Sequence, residues 1–300
     1  MHIPSSMLHG AVCPVTVAVG AAGVGAALYV ARKANESPTA AKFAAVTAMI
    51  FALQMLNFPV QNGTSGHLLG GMLAVAFLGI PWAVLSMSLV LSVQAIFFGD
   101  GGVNALGANI INMGLIGAGA AGLLFNFLQG RKFSRTAALA VASMASVLTA
   151  ALACSVEISL AGTVSFSRAV AAMLSVHALI GTGEAVLTVV LVAVISAVAR
   201  KWAANEMPVA IASLIVAVVA AMLSPFASNF PDGLEWVSAK MAFISFKGVQ
   251  FAALFPDYQV PAIGGSLSTV LAGLIGVGIV LAVAALMAKA IAHFPMKRID

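Results

Sequence analysis

The chain has 300 residues, of which 62% are hydrophobic and only 8% charged, with a mean hydropathy of +1.09. Soluble domains carry roughly 25% charged residues, so the composition excludes an ordinary soluble protein and predicts an all-α polytopic membrane protein; a transmembrane barrel would alternate in polarity over segments of about ten residues, and no such alternation is present. The net charge of +5 is not a nucleic-acid signal, because the basic residues sit in short loops between apolar runs.

The chain opens Met1-His2-Ile3-Pro4. No Lys or Arg precedes the first apolar run, so no secretory signal peptide is predicted, and the amino terminus is expected to survive as made. The bulky His2 is expected to spare Met1 from removal. A free amine, the backbone nitrogen of His2 and the His2 imidazole can close adjacent chelate rings on one small cation. Imidazole is the commonest metal ligand, and planar nitrogen-rich sites suit nickel(II) or copper(II). The competing reading is an ordinary solvated terminal residue.

A first span is predicted over 11–31 and a second over 43–60. The second closes with Asn57-Phe58-Pro59-Val60, where Pro59 ends the helix. Gly63-Thr64-Ser65-Gly66-His67 follows, a loop that can turn tightly and bring backbone close to a ligand. His67 can then supply a fourth nitrogen; the alternative is a helix start capped by Thr64 or Ser65. The stretch 66–98 is long for one helix, and Gly79-Ile80-Pro81 divides it into spans 66–79 and 81–98. A Gly-rich turn, Phe98-Gly99-Asp100-Gly101-Gly102, leads into the fifth span, 105–129. Within it Gly117-Ala118-Gly119-Ala120-Ala121-Gly122 matches a dinucleotide pattern, but it follows no strand and reads as close helix packing. Gln94, Asn104, Asn109 and Asn112 place amides in or near spans, where they must be bonded. Interhelical bonds are the favoured reading, with service behind metal-bound histidines the other.

Spans over 136–157 and 169–199 come next. The latter holds His177 and Glu184, seven residues apart and so on one face if the helix is continuous, which Gly181 and Gly183 put in question. Intramembrane ionisable groups are functional candidates by default. After a linker, Arg200–Glu206, a two-span unit (207–226 and 263–288) carries a long loop over 227–262. Asp232, Glu235 and Asp257 in that loop either attract cations or fix turns. Cys13 and Cys154 fit no metal or redox spacing and read as small buried hydrophobes. No GxxxxGK[ST] motif is present.

Four basic clusters fix the topology: Arg32, Lys33 and Lys42; Arg131, Lys132 and Arg135; Arg200 and Lys201; and Lys289, Lys297 and Arg298. The positive-inside rule makes all four cytoplasmic. About nine transmembrane helices satisfy this, with the amino terminus outside and the carboxyl terminus cytoplasmic. Arg168, Lys240 and Lys247 then fall outside. His2, His9, the Gly63–His67 loop and the Asp100 turn share the outer side, with His177 a few turns in, an arrangement suited to capturing a cation from outside.

Taken in order, Met1–Pro4, Asn57–Val60, Gly63–His67, Phe98–Gly102, Ala105–Asn109, Asn112-Met113-Gly114 and His177–Ala185 resemble the CbiM/NikM substrate-binding components of energy-coupling-factor transporters, over roughly 1–200. Ser5-Ser6 departs from that family, which commonly has Asp-Gly there. Pro231-Asp232-Gly233-Leu234-Glu235 and Pro256-Asp257-Tyr258 make 207–300 similar to the NikN accessory component, here fused. The resemblance implies a seven-span metal-binding domain over 1–200 and a NikN-like unit over 207–300. It implies ligation by the Met1 amine, the His2 backbone nitrogen, the His2 ring and the His67 ring. Asn57, Asn104, Asn109, His177 and Glu184 are candidates for supporting or coupling roles. It further implies a T-type transmembrane coupling subunit and cytoplasmic ATPases as partners in a bacterial inner membrane, with nickel(II) as the transported substrate, no resident cofactor and no enzymatic activity in this chain. Cobalt(II) uptake for cobalamin synthesis through the same site is the first alternative, and an ion-coupled carrier using His177 and Glu184 the second. An intramembrane metalloenzyme is disfavoured, because no HExxH-type motif is present.

Overall fold

In the computed structural model the described residues are 1–34, 37–61, 63–200, 206–247 and 251–293. Most of the Arg200–Glu206 linker, with Lys201, and the terminal Lys297 and Arg298 lie outside them. Apolar runs become helices because backbone N–H and C=O groups removed from water must be satisfied within the segment. The elements are α1 (Val12–Lys33), α2 (Ala40–Gln54), a hairpin of β1 (Phe58–Pro59) and β2 (Ser65–Gly66), α3 (Gly71–Leu78), α4 (Ile80–Val93), α5 (Leu106–Asn109), α6 (Ala121–Gly130), α7 (Arg135–Leu160), α8 (Phe166–Arg200), α9 (Met207–Leu223), the short α10 (Gly233–Lys240) and α11 (Gly265–His293). A π-helical turn, Gln94–Phe98, extends α4, and a longer one, Ile110–Ala120, joins α5 to α6. Seven helices among the described residues are long and apolar enough to cross a membrane. The protein is thus an all-α, multi-pass membrane protein.

The helices run between two ends. At one end backbone links gather distant loops: Gly102 N donates to Ile3 O at 2.8 Å, Ser228 N to Asn57 O at 2.8 Å, Phe246 N to Ser6 O at 2.9 Å and Phe255 N to Phe97 O at 2.8 Å. At the other end Lys42 pairs with Glu206 at 2.8 Å, and Arg135 reaches the Ala76 carbonyl at 3.5 Å. Lys33, Arg131, Lys132 and Arg200 sit at helix ends on this second side, whereas Arg168, Lys240 and Lys247 sit with the first.

Two expected spans take a different form. The second is only the 15 residues of α2, about 22 Å of helix against a hydrocarbon core of about 30 Å. The third, expected over 66–79, is helical only over the eight residues of α3. Residues 65–70 before it are buried but not helical and end in a left-handed Gly70 at φ 80°, with Glu184 and Gln54 from other helices satisfying the backbone at Leu69 and Gly70. Gly79, at φ 78°, then turns the chain into α4, as its Gly-Ile-Pro sequence predicts. The expected glycine-rich packing also holds, since a Cβ on Gly71 would lie 2.5 Å from Gly117 O. Gly181 and Gly183 do not interrupt α8, which is a single 35-residue helix. They let it approach Met144 and Phe58 instead. α9 and α11 pack along α2, so one continuous apolar core includes the carboxyl-terminal helices.

Candidate metal centre

The first eight residues are threaded into the first end of the bundle, with Ile3 and Leu8 fully buried. The threading is held by polar bonds that the segment could not make to itself. Asn109 uses both halves of its amide on Ile3, its Oδ1 accepting from Ile3 N at 2.9 Å and its Nδ2 donating to Ile3 O at 3.3 Å. Asn104 Nδ2 donates to the carbonyls of Ser5 and Leu8. Thr163 Oγ1 donates to Met7 O at 2.7 Å. Gly102 lies so close that a Cβ there would stand 2.4 Å from Ser5 N. These bonds set the place of Met1 and His2, both buried.

The Met1 ammonium donates to His67 Nε2 at 2.7 Å. The partner of His67 Nδ1 is the Leu68 carbonyl, at 3.0 Å. A carbonyl only accepts, so Nδ1 carries the proton and Nε2 presents its lone pair to the amine. The His2 and His67 rings stack with centroids 5.1 Å apart. Among the described residues no hydrogen bond engages the His2 backbone nitrogen. The His67 loop keeps its shape because Thr64 and Ser65 are bonded to Phe230 and Pro231 carbonyls of the long loop, rather than capping a helix.

Carboxylates surround these nitrogens. Asp232 Oδ2 accepts from the Met1 ammonium at 3.0 Å. Its other oxygen caps α10 by accepting from Glu235 N at 2.8 Å, while Glu235 returns a bond to Asp232 N. Asp232 therefore fixes a turn and also faces the amine. Burial alone would raise its carboxyl, but the ammonium overrides this and holds it well below the usual carboxylate range. Asp100 Oδ1 lies 3.2 Å from His2 Nδ1, and its Oδ2 accepts from Tyr258 Oη at 2.7 Å. Burial and then the Asp100 charge push the Tyr258 phenol well above its ordinary value, so it remains a donor. His2 Nε2 lies 3.1 Å from Gln94 Oε1. Burial lowers the His2 imidazole below the ordinary histidine range, against the pull of Asp100. The ring is thus held between a carboxylate at Nδ1 and an amide at Nε2. A cavity of about 430 Å³, lined by His2, His67, Asp100, Asp232 and Tyr258 among others, opens beside this group.

Among the described residues no three His, Cys, Asp or Glu side chains are grouped to hold a metal. A nitrogen-rich site here depends on the chain terminus, which side-chain spacing cannot reveal. The predicted Met1, His2 and His67 come together. The favoured interhelical reading of the four amides is corrected by the structure: Gln94, Asn104 and Asn109 support the amino-terminal segment, and only Asn112 links helices, donating to Glu157 at 2.6 Å. Asn57 lines the cavity. His177 is buried with Nδ1 on the Met173 carbonyl, 2.8 Å away. It packs behind Gly233, where a Cβ would lie 2.9 Å from its Cε1. Glu184 holds the backbone after His67. His9 stacks on Phe246, with centroids 3.6 Å apart. Sequence reasoning put the Asp100 turn only on the same side as His2, did not place Tyr258 at the site, and left Asp232 as either a cation attractor or a turn residue.

Residues 2–202 match the family described as CbiM, cobalt uptake substrate-specific transmembrane region, and residues 207–293 match the PDGLE domain. A chain of Archaeoglobus fulgidus assigned as a fused nickel transport protein, NikMN, is 30% identical over 94% of this chain and 96% of its own length. A chain of Lactiplantibacillus plantarum assigned as a fused nickel transport protein, LarMN, is 28% identical over 94% of this chain and 95% of its own. A crystal structure of a truncated transition metal transporter superposes with a TM-score of 0.60 at 29% identity, covering 66% of this chain and 99% of that one.

Proposed function

This chain belongs to the CbiM family, with a PDGLE domain fused behind it, and from that premise we propose that it captures nickel(II) for an energy-coupling-factor importer. As a member of that family it is a metal-transport component for nickel or cobalt. The finer reading places the metal on the Met1 amine, the His2 backbone nitrogen, His2 Nδ1 and His67 Nε2. The 2.7 Å separation of the Met1 amine and His67 Nε2 carries it. Two nitrogens at right angles on one metal, each about 2 Å from it, stand roughly 2.8 Å apart, and a tetrahedral pair roughly 3.3 Å. The first three donors form a chelate with the His2 amide in the middle, so His67 takes the position opposite that amide and adjacent to the amine. Amide ligation and planar geometry favour nickel(II) over cobalt(II).

In this reading the end bearing the site faces outward and the basic end faces the cytoplasm, with nine crossings in a bacterial inner membrane. Residues 1–200 form the metal-binding domain, and 207–300 form an accessory unit whose loop walls the site. A T-type coupling subunit and separate ATPases drive release. Asn104 and Asn109 support the ligands by fixing the plug, and Asp232 supports the amine. The test is elemental analysis of the purified full chain, its free Met1 amine verified by mass spectrometry, after exposure to nickel and cobalt together. Nickel retained by the native chain, and lost on His2→Ala, His67→Ala or extension of the amino terminus, is the expected result. Retention by the extended chain would remove the amine from the ligand set. Cobalt retained in place of nickel would favour the cobalt reading.

A further inference from the structure

Glu184 of α8 directs both carboxylate oxygens at the segment that carries His67. Its Oε2 accepts from Leu69 N at 2.6 Å and its Oε1 from Gly70 N at 3.0 Å. These N–H groups open the short α3, and no preceding turn offers them acceptors. The Glu184 side chain is fully buried. Opposite it, Gln54 Nε2 of α2 donates to Leu69 O at 2.6 Å. The same face of α8 also seats the hairpin. A Cβ on Gly66 would lie 2.7 Å from Ile180 Cγ1, and one on Gly183 would lie 2.7 Å from Phe58 Cζ. His67 is oriented through the Leu68 carbonyl, directly before the backbone that Glu184 grips.

We propose that Glu184 is the positioning residue that holds His67 in its metal-binding place and ties that place to α8. This inference rests on the reading of His67 as a metal ligand. α8 runs unbroken from the site end to Arg200 at the basic end, about 52 Å of helix. A displacement of its far end therefore reaches the His67 segment through this carboxylate and through the hairpin seated on the same face. Breaking the Leu69 and Gly70 bonds frees the loop, withdraws the fourth nitrogen and leaves the metal on the terminal chelate alone. Glu184 touches neither the metal nor any other ligand in this scheme, so its whole effect on affinity passes through His67.

The experiment is a double-mutant cycle on the full chain with nickel alone as the probe, read by chelator competition and visible absorption. Glu184→Gln keeps the volume but sets an NH₂ against one of the two N–H donors. It is expected to weaken nickel binding by roughly 10–100-fold and to move the spectrum toward that of His67→Ala. In the His67→Ala background the same change is expected to alter affinity by less than about twofold. Equal losses in both backgrounds, or no loss in the native one, overturn the proposal. Glu184→Asp carries the same cycle if the Gln variant does not fold. Amide hydrogen exchange over residues 66–75, without metal, separates the two readings. If His67→Ala leaves nickel binding intact, the ligand assignment falls. Retained protection at Leu69 and Gly70 in Glu184→Gln would instead show that Glu184 does not hold the loop.

Discussion

Asp232 Oδ2 and the Met1 amine, 231 residues apart in sequence, meet at 3.0 Å. The carboxyl-terminal domain thus closes directly on the first atom of the chain. Asp232→Asn keeps the cap on α10, because Asn caps as well as Asp, but removes the charge beside the amine. Nickel affinity is expected to fall about tenfold or more, and the metal-free chain is expected to lose thermal stability as well, because the buried ammonium loses its counter-charge. Calorimetric titration checks this, and an unchanged affinity would show that the ammonium pair has no part in metal capture.

On the proposed ligand set, metal binding displaces protons, and the direction follows from the ligands. The amine is an ammonium in the metal-free structure and must become a neutral donor, and the amide nitrogen must lose its hydrogen. The free state holds more protons than the bound state, so affinity rises with pH, by roughly one to two decades per pH unit while both are displaced. The His2 imidazole, lowered by burial, is already neutral near pH 7 and adds to the slope only in more acid solution. Titrations between pH 6 and 8 measure the slope; a flat profile would exclude both displaced protons.

Gly102→Ala should dislodge the plug. The added Cβ would stand 2.4 Å from Ser5 N and 2.6 Å from Ser5 Cα, both backbone atoms that cannot swing aside. Overpacking of this kind costs about 1–3 kcal/mol, or roughly a fivefold to 150-fold loss of nickel affinity. A proteolysis assay on the first ten residues should show faster cleavage, and native resistance would mean that the plug tolerates the methyl group.

Tyr258→Phe removes one hydroxyl and keeps the ring stacked on Phe98, with centroids 4.8 Å apart. Asp100 then loses the donor that orients it toward His2. Weaker nickel binding, by several-fold to about tenfold, is expected without a drop in melting temperature. A lower melting temperature with intact affinity would make Tyr258 a packing residue only.

The spans were legible because long apolar runs and basic clusters are properties of contiguous sequence. His2 and His67 were legible because their chemistry is unusual among apolar neighbours. The non-helical backbone at 65–70 was not, since its partners Gln54 and Glu184 lie on other helices and hydropathy cannot distinguish an irregular apolar segment from a helical one. Asp100 and Tyr258 escaped for the same reason: each looks like an ordinary turn residue until positions 158 apart in sequence are folded together. The roles of Gln94, Asn104 and Asn109 turned on a plug whose insertion no periodicity announces.

A site that uses the first nitrogen of a polypeptide cannot exist while that nitrogen is capped. A formyl group left from initiation, or an acetyl group added later, abolishes the terminal charge and turns the amine into an amide that neither binds metal as an amine nor pairs with Asp232. Maturation of such a transporter is therefore in the hands of the enzymes that trim nascent chains. If the proposed ligand set holds, a cell that inserts the protein faultlessly but leaves its first residue blocked would hold a folded membrane protein unable to take up its ion.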